Sequence, residues 1–267
     1  MKLDNKFYEK YFDTDAYEVF RYDVGSFCTR RYIVQSLKSQ SGNILEIGVG
    51  ISSLLEDLQK FTCYGIDISS TAIERSKKIF EYNGKKAELV VGDAQELPFE
   101  DNFFDAIVSS HTLEHVEHDE NVLKECARVL KPGGEVIFFV PGRVCGTATP
   151  DEWKSLGHYR TYNKERFAKL ENAVNHDLKL ASITFPHKIH NVIWNRMKHV
   201  VRALNYPIKK WIMRDGKTYE VRPWYQKFFL PVIATTLDGV DCLTKKRQSN
   251  FLSSDFNVLA RFEKLKK

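Results

Sequence analysis

Short apolar runs alternate with amphipathic stretches over the first 140 residues of the chain. Helical patterns fall near 51–60, 70–82 and 118–129, and the apolar runs fall near 43–47, 62–67, 87–91, 103–109 and 134–140. Such alternation of buried strands and helices is typical of an α/β protein with a doubly wound, mostly parallel sheet. Two more strands, predicted near 178–185 and 257–263, complete a seven-stranded sheet.

The pattern divides the chain into four regions. Residues 1–40 are predicted to form N-terminal helices that cap a core of residues 41–185. Residues 186–253 connect the last two predicted strands and are longer than such a connection needs. They are predicted to begin with an amphipathic helix. We interpret them as a helical insertion that covers a substrate site or binds a membrane or partner, although their aromatic residues equally fit a core of their own. Residues 254–267 are predicted to form the closing edge strand and tail.

The segment Ile44–Ser53 (ILEIGVGISS) shows the clearest chemical pattern. A buried strand carries Glu46 near its end, and Gly48 and Gly50 follow before small polar residues that open a helix. Glycines let the backbone approach a ligand closely. Asp67 ends the next strand 21 residues after Glu46, which is close to the spacing at which a βαβ unit places its ribose-binding acid. The two features predict a site for a nucleoside-containing cofactor.

The details of this segment disfavour a dinucleotide. The sixth position of Gly-x-Gly-x-x-Gly is Ser53, and the charge of Glu46 would oppose a pyrophosphate. Glu46-x-Gly48-x-Gly50 instead resembles motif I of class I S-adenosylmethionine-dependent methyltransferases. Later segments resemble the type 11 group, which includes the ubiquinone and menaquinone methyltransferases, in the same order: Asp67, Gly92-Asp93-Ala94, Asn102–Ser110, His111–Val116 and Leu130–Glu135.

This resemblance implies a Rossmann-like methyltransferase fold with S-adenosyl-L-methionine as cofactor. Glu46 would meet the cationic amino-acid end of the cofactor, Asp67 the ribose and Asp93 the adenine. The third glycine that the family often has is Ser52 here, a small residue that still permits close packing of strand and helix. The candidate cofactor-binding residues are Glu46, Gly48, Gly50, Asp67, Ile68, Asp93, Ala94 and Ser110.

Methyl transfer from a sulfonium requires alignment of donor and acceptor and, for a hydroxyl acceptor, removal of a proton. Histidine suits proton removal near neutral pH. His111 follows the fourth strand and His158 lies in the loop after the fifth, so both are candidate bases. Tyr159, Arg160 and Tyr162 are candidates for orienting the substrate. The prediction is methyl transfer to a small-molecule or lipid-linked acceptor, with oxygen favoured.

The segment His111–His115 (HTLEH) also matches the H-x-x-E-H pattern of inverzincin metalloproteases. A zinc site of that kind needs both histidines on one helical face and a third ligand, whereas this segment follows a strand directly. We therefore expect no metal ion, and we expect Glu114 and His115 to brace the turn into the next helix.

The net charge of +5 conceals an uneven distribution, because residues 1–150 carry a net charge of −7 and residues 151–267 carry +12. Ten Lys and Arg residues lie within 188–227 against only Asp215 and Glu220. Such a basic patch suits nucleic acid, anionic lipid or a phosphorylated substrate, or is a solvated helix surface. We expect peripheral contact with an anionic membrane through 188–227.

Two other functions remain open. The basic half of the chain suggests an RNA methyltransferase, but there is no separate RNA-binding module and no Asn/Asp-Pro-Pro-Tyr/Phe motif, so nucleic acid is disfavoured. A non-catalytic scaffold or partner subunit that binds the cofactor is the other alternative.

The sequence suggests a cytoplasmic protein. The longest apolar run, Phe228–Thr236, contains Pro231 and is shorter than the ~18 residues of a membrane span, and the polar start does not resemble a signal peptide. The cysteines are far apart and odd in number, which predicts reduced thiols that pack in the core: Cys28, Cys63, Cys126, Cys145 and Cys242.

Overall fold

The computed structural model describes residues 24–51, 54–143, 157–174, 177–184 and 255–266, together with Tyr8, Glu9, Phe12 and Val232. The basic patch 188–227 lies outside these ranges, as do Ser52, Ser53 and all of the predicted insertion 186–253 except Val232. Half of the predicted N-terminal cap, residues 1–7, 10, 11 and 13–23, also lies outside them.

The described elements follow one another in the predicted alternation. They are α1 (Val24–Ser36), β1 (Asn43–Ile47), a 3₁₀ turn (Leu54–Asp57), β2 (Thr62–Asp67), α2 (Ser70–Tyr82), β3 (Glu88–Val91), β4 (Phe104–Ser110), a second 3₁₀ turn (Leu113–His115), α3 (Asp119–Val129), β5 (Leu130–Arg143), α4 (Lys164–Ala173), β6 (Leu178–Thr184) and β7 (Asp255–Lys264).

The seven strands form one sheet in the order β3-β2-β1-β4-β5-β7-β6. Strands β1 to β5 are mutually parallel, and β7 is antiparallel to both β5 and β6. The predicted doubly wound, mostly parallel seven-stranded sheet is therefore confirmed.

The prediction that the last strand lies at the edge of the sheet is wrong. Strand β7 lies between β5 and β6, so β6 is the edge strand. Burial explains this order, since β7 contributes Val258, Leu259, Ala260 and Phe262 to the core. In β6, by contrast, Lys179, Ala181 and Thr184 are exposed.

Strand β5 also begins earlier than the predicted 134–140, at Leu130. Its register with β4 shifts between the pairs Phe104–Leu130 and Ala106–Glu135, so the strand passes this point with an irregularity. Gly133 has a φ of 81° there, a conformation that glycine adopts without steric cost.

The core lies on both faces of the sheet. Alternate residues of β1 point to opposite faces, so that Leu45 and Ile47 join one apolar cluster and Ile44 joins the other. Residues of α3 and α4 cover the first cluster. Residues of α1, the first 3₁₀ turn and α2 cover the second.

Within the described ranges, no helix has the length and apolar character needed to cross a membrane. Cys28, Cys63 and Cys126 are buried free thiols, as predicted. Cys145 and Cys242 lie outside the described residues.

We predict that Phe104→Ala lowers the free energy of unfolding by about 3–5 kcal/mol, the usual cost of truncating a buried aromatic residue. Phe104 is fully buried and packs edge-to-face against Tyr64, Phe99 and Phe103 with ring centroids 5.0–5.4 Å apart. Urea denaturation measures the change.

The control is Tyr82→Ala, because Tyr82 is 50% exposed and its truncation should change the stability by less than about 0.5 kcal/mol. Equal effects of the two substitutions would show that the aromatic cluster is not a main source of stability.

Candidate active site

The loops predicted to bind the cofactor meet at the carboxyl ends of neighbouring parallel strands. The amide of Gly48, after β1, donates to the carbonyl of Ile66 in β2 at 2.8 Å, and the amide of Gly92, after β3, donates to the carbonyl of Asp67 at 2.9 Å. In open α/β sheets this edge is where ligands bind. The structure therefore gathers these predicted residues on one crevice.

The glycine loop packs tightly against the turn that follows β4. Gly48 has a φ of +77°, and a Cβ atom built on it would lie 2.0 Å from the Thr112 hydroxyl oxygen. Gly50 has a φ of +51°. Glycine is thus required at Gly48 by both backbone conformation and space.

Asp67 joins the glycine loop to the start of α2. Its Oδ2 accepts a hydrogen bond from the Gly50 amide at 2.8 Å, and its Oδ1 accepts one from the Ser69 amide at 2.9 Å. Burial raises the pKa of this carboxyl, against the effect of these hydrogen bonds. A carboxylate has about four lone-pair positions, so Asp67 retains the capacity to accept further hydrogen bonds, such as those of ribose hydroxyls.

An exposed apolar side chain lies beside Asp67. Val91 pairs with Asp67 across β2 and β3 and is 52% exposed, so it offers an apolar surface for a planar base. The sequence did not identify Val91, because the pattern of apolar and polar residues does not show that an apolar residue at the end of a strand is exposed.

Glu46 is only 2% exposed. Its carboxylate accepts hydrogen bonds from the amides of Leu54, at 3.1 and 3.2 Å, and Leu55, at 3.3 Å. Glu46 therefore braces the turn after the glycine loop and places a negative charge beneath it. The sequence did not predict this bracing contact.

The other predicted cofactor residues lie along the same edge. Asp93 is exposed, and its Oδ1 accepts a hydrogen bond from the Gln95 amide at 2.8 Å. Ile68, Ala94 and Ser110 are half-buried.

Three described N-terminal residues lie over this edge. Glu9 accepts hydrogen bonds from the amides of Ser70, at 2.8 Å, and Thr71, at 3.0 Å, at the start of α2. Hydrogen bonds with the Thr71 side chain and with the Thr71 and Ser70 amides lower the pKa of Glu9 to about 2. A Cβ atom on Gly50 would lie 3.5 Å from the Phe12 ring.

The third of these residues, Tyr8, reaches the opposite side of the crevice. Its ring is perpendicular to that of His115, with centroids 6.1 Å apart. Glu9 and Phe12 therefore contact the start of α2 and the glycine loop, while Tyr8 contacts the turn after β4.

His111 projects from the end of β4 with a φ of 53°, which is uncommon for a residue other than glycine. Its side chain is 45% exposed, and its Nδ1 lies 3.3 Å from Oε1 of the fully buried Glu114. Burial raises the pKa of Glu114, but the His111 hydrogen bond and the charges of His111 and His115 have the larger opposite effect. The pKa of Glu114 is therefore lowered below its usual value. Glu114 is therefore a carboxylate that orients the His111 ring.

A second segment folds back onto this turn. The Tyr159 amide donates to the Glu114 carbonyl at 2.8 Å, and Arg160 donates to the carbonyls of Val116, at 2.8 Å, and Glu117. The ring of His158 lies 4.8 Å from that of His115. The structure thus brings both predicted bases, His111 and His158, to the same side of the crevice.

The predicted substrate contact of Tyr162 is wrong. Tyr162 is fully buried, with its hydroxyl 3.0 Å from the Leu113 carbonyl and 2.9 Å from Asp119 Oδ2. Its ring stacks on Phe167, so it belongs to the core beneath the site. The guanidinium of Arg160, another predicted substrate contact, binds backbone carbonyls and Asp119. Tyr159 is half-buried beside it.

The structure forms a group of possible metal ligands that differs from the set in the H-x-x-E-H pattern. One ligand atom each from Glu114, His115 and His158 lies within 4.8 Å of the others. His111, which opens the H-x-x-E-H pattern, is not a member of this group.

Comparison with known proteins agrees with this geometry. Residues 45–138 match the profile of the type 11 family, which is described as a methyltransferase domain. The chain carries a type 11 methyltransferase domain. The predicted resemblance to the class I, type 11 methyltransferases is confirmed.

Curated relatives are similar to this chain over part of its length. The chain is 32% identical over 113 residues to a sterol 4-C-methyltransferase of Caenorhabditis elegans, a match that covers 40% of this chain and 34% of that enzyme. It is 44% identical over 75 residues to a demethylmenaquinone methyltransferase of Bacillus mycoides, with 28% and 32% covered. The match thus spans about a third of each relative.

A solved structure with a similar fold aligns with this chain. Phosphoethanolamine N-methyltransferase 2 of Haemonchus contortus, in complex with phosphomonomethylethanolamine and S-adenosylhomocysteine, aligns with a TM-score of 0.67 at 15% identity. The alignment covers 99% of this chain and 61% of that one. At this identity the likeness is one of fold.

We predict that Glu9→Ala speeds amide hydrogen exchange at Ser70 and Thr71 by roughly two- to fivefold, the factor for an exposed contact of about 0.5–1 kcal/mol. The pKa of Glu9 is lowered to about 2, so in the wild type this protection is complete above pH ~4.5 and is lost as the pH falls towards 2. Exchange rates corrected for intrinsic pH dependence measure both effects.

Glu74→Ala serves as the control, since Glu74 is exposed on the same helix and carries the same charge. The contact is not formed in solution if Glu9→Ala and Glu74→Ala exchange at the same rate.

Proposed function

We propose that this protein is an S-adenosylmethionine-dependent methyltransferase that acts on a small-molecule or lipid-linked acceptor, with oxygen as the accepting atom. The observation that carries the proposal is the His111–Glu114 pair, which lies at the end of β4 beside the glycine loop. The same turn supplies Thr112, against which Gly48 packs. A base thus lies next to the loop of a nucleoside site.

The residues of the crevice fit S-adenosylmethionine. Asp67 and exposed Val91 suit its ribose and adenine, and the buried charge of Glu46 beneath the glycine loop suits its cationic amino-acid end. Asp93, Ile68, Ala94 and Ser110 line the same edge and complete the proposed binding set. When bound, the cofactor supplies the electrophilic methyl group.

His111 is the better placed of the two candidate bases. The Glu114 carboxylate only accepts hydrogen bonds, so the His111 Nδ1 carries the proton and Nε2 is left to remove one from an acceptor. Glu114 also stabilises the positive charge that forms on the ring. The His111 side chain is 45% exposed, whereas the half-buried His158 packs against His115.

The relatives support the proposed acceptor class. One acts on a sterol, one on demethylmenaquinone, and the solved structure holds a phosphorylated amine. The names of the first and last specify methylation at carbon and nitrogen, so the choice of oxygen rests on the proposed base. The ten basic residues within 188–227 support peripheral contact with an anionic membrane.

Incubation with cofactor carrying a labelled methyl group tests the function as a whole. Label in a hydroxyl-bearing metabolite or lipid supports the proposal, and fragmentation of the product identifies the accepting atom. Label in RNA indicates an RNA methyltransferase. The absence of transfer to any extract, despite cofactor binding, indicates a scaffold.

We predict that Asp67→Ala weakens S-adenosylhomocysteine binding at least about tenfold, because hydrogen bonds to a charged acceptor contribute ~1.5–3 kcal/mol. Isothermal titration calorimetry measures the affinity. Glu100→Ala, at an exposed acid, should bind as the wild type does. An unchanged affinity of Asp67→Ala would refute the ribose assignment.

We predict that His111→Ala lowers kcat by ~10²-fold or more and leaves the S-adenosylhomocysteine affinity unchanged, as expected for loss of a general base. Steady-state kinetics at saturating acceptor provide the measurement. The matched control is His118→Ala, since His118 is exposed and makes no capping hydrogen bond through its side chain. A wild-type rate in His111→Ala would eliminate this role.

A further inference from the structure

We propose that Glu114, His115 and His158 form a binding site for a divalent metal ion of the zinc class. Their ligand atoms lie within 4.8 Å of one another. Two imidazoles and one carboxylate form the His₂Glu donor set that zinc uses in catalytic sites. Metal binding at this site does not depend on methyl transfer.

Glu114 supplies the strongest argument for a cation. Its carboxylate is fully buried, and Oε1 lies 3.3 Å from His111 Nδ1, but among the described residues Oε2 has no hydrogen-bond partner. A buried carboxylate oxygen without a partner carries a large desolvation cost. A metal ion on Oε2 removes this cost while Oε1 continues to hold His111.

His115 is oriented as a metal-ligating histidine usually is. Its Nδ1 lies 3.3 Å from the carbonyl oxygen of Gly157. A carbonyl only accepts hydrogen bonds, so Nδ1 carries the proton and Nε2 presents its lone pair. Ligating histidines commonly donate their other ring nitrogen to a backbone carbonyl in this way, which fixes the tautomer and the ring orientation.

The third ligand is held in place by backbone contacts. His158 lies between Gly157, whose carbonyl faces His115, and Tyr159, whose amide donates to the Glu114 carbonyl at 2.8 Å. The segment that carries His158 is therefore tied on both sides to the residues that supply the other two ligands. Zinc–nitrogen and zinc–oxygen bonds of ~2.0–2.2 Å require the ligand atoms to close by roughly 1 Å.

Three protein ligands leave a fourth position open. In catalytic zinc sites this position holds water or substrate oxygen. Because Glu114 touches His111 with its other oxygen, an ion at this site would lie one side chain away from the proposed base.

Zinc titration of tag-free protein, stripped with a chelator, tests the proposal. We expect calorimetry to show one zinc ion per chain in the wild type and in the exposed control His118→Ala. His115→Ala and His158→Ala should each bind at least about tenfold more weakly, and the double variant should show no stoichiometric site. Cobalt substitution should give visible ligand-field bands that the double variant lacks.

Circular dichroism and S-adenosylhomocysteine affinity, measured without metal, show whether each variant is folded and report the proposed function separately. If His115→Ala fails to fold, His158→Ala and His158→Gln decide the question. Failure of the wild type to bind zinc, or binding by folded His158 variants at wild-type affinity, overturns the proposal.

Discussion

The side of the crevice that carries His111 and His158 depends on one buried carboxylate, that of Asp119. It is the first residue of α3 and is fully buried, and it pairs with Arg160 and Arg166 while Tyr162 contacts its Oδ2 at 2.9 Å. A buried charge is stable only when it is paired and hydrogen-bonded. These contacts therefore fix α4 and the segment 157–162 against α3, and with them the positions of His158 and Glu114.

The side that carries the glycine loop and Asp67 uses backbone amides where the opposite side uses arginines. Asp67 and Glu9 both accept amide hydrogen bonds at the start of α2, where the helix dipole favours negative charge. Glu46 does the same at the first 3₁₀ turn. Three acids thus hold the loops of this half through backbone amides, and their negative charge suits a positively charged ligand.

The sequence predicted what depends on local pattern. Short apolar runs located the strands, and the glycine loop with Asp67 located the crevice. The order of β6 and β7 in the sheet could not be predicted from the sequence, because strand pairing depends on residues far apart along the chain. Tyr162 was misassigned for the same reason: its partner Asp119 lies 43 residues away. The contacts of Glu9 span 60 to 62 residues, and no local signal marks them.

The group formed by Glu114, His115 and His158 shows most clearly what a local sequence pattern cannot predict. The pattern H-x-x-E-H suggested a metal site built from one segment, and the adjacent strand argued against it. The structure instead combines two residues of that segment with a histidine from a distant loop, which is brought back by backbone hydrogen bonds. Such hydrogen bonds are almost independent of side-chain identity, so they leave no trace in the sequence.

The two edges of the sheet have a consequence for behaviour in concentrated solution. Exposed edge strands are templates on which other chains can pair and aggregate. Here β3 has only four residues, while β6 carries the exposed Lys179 and an irregular register between Leu180 and Ser182. A short strand at one end and a charged, irregular one at the other both disfavour pairing of these edges with another chain.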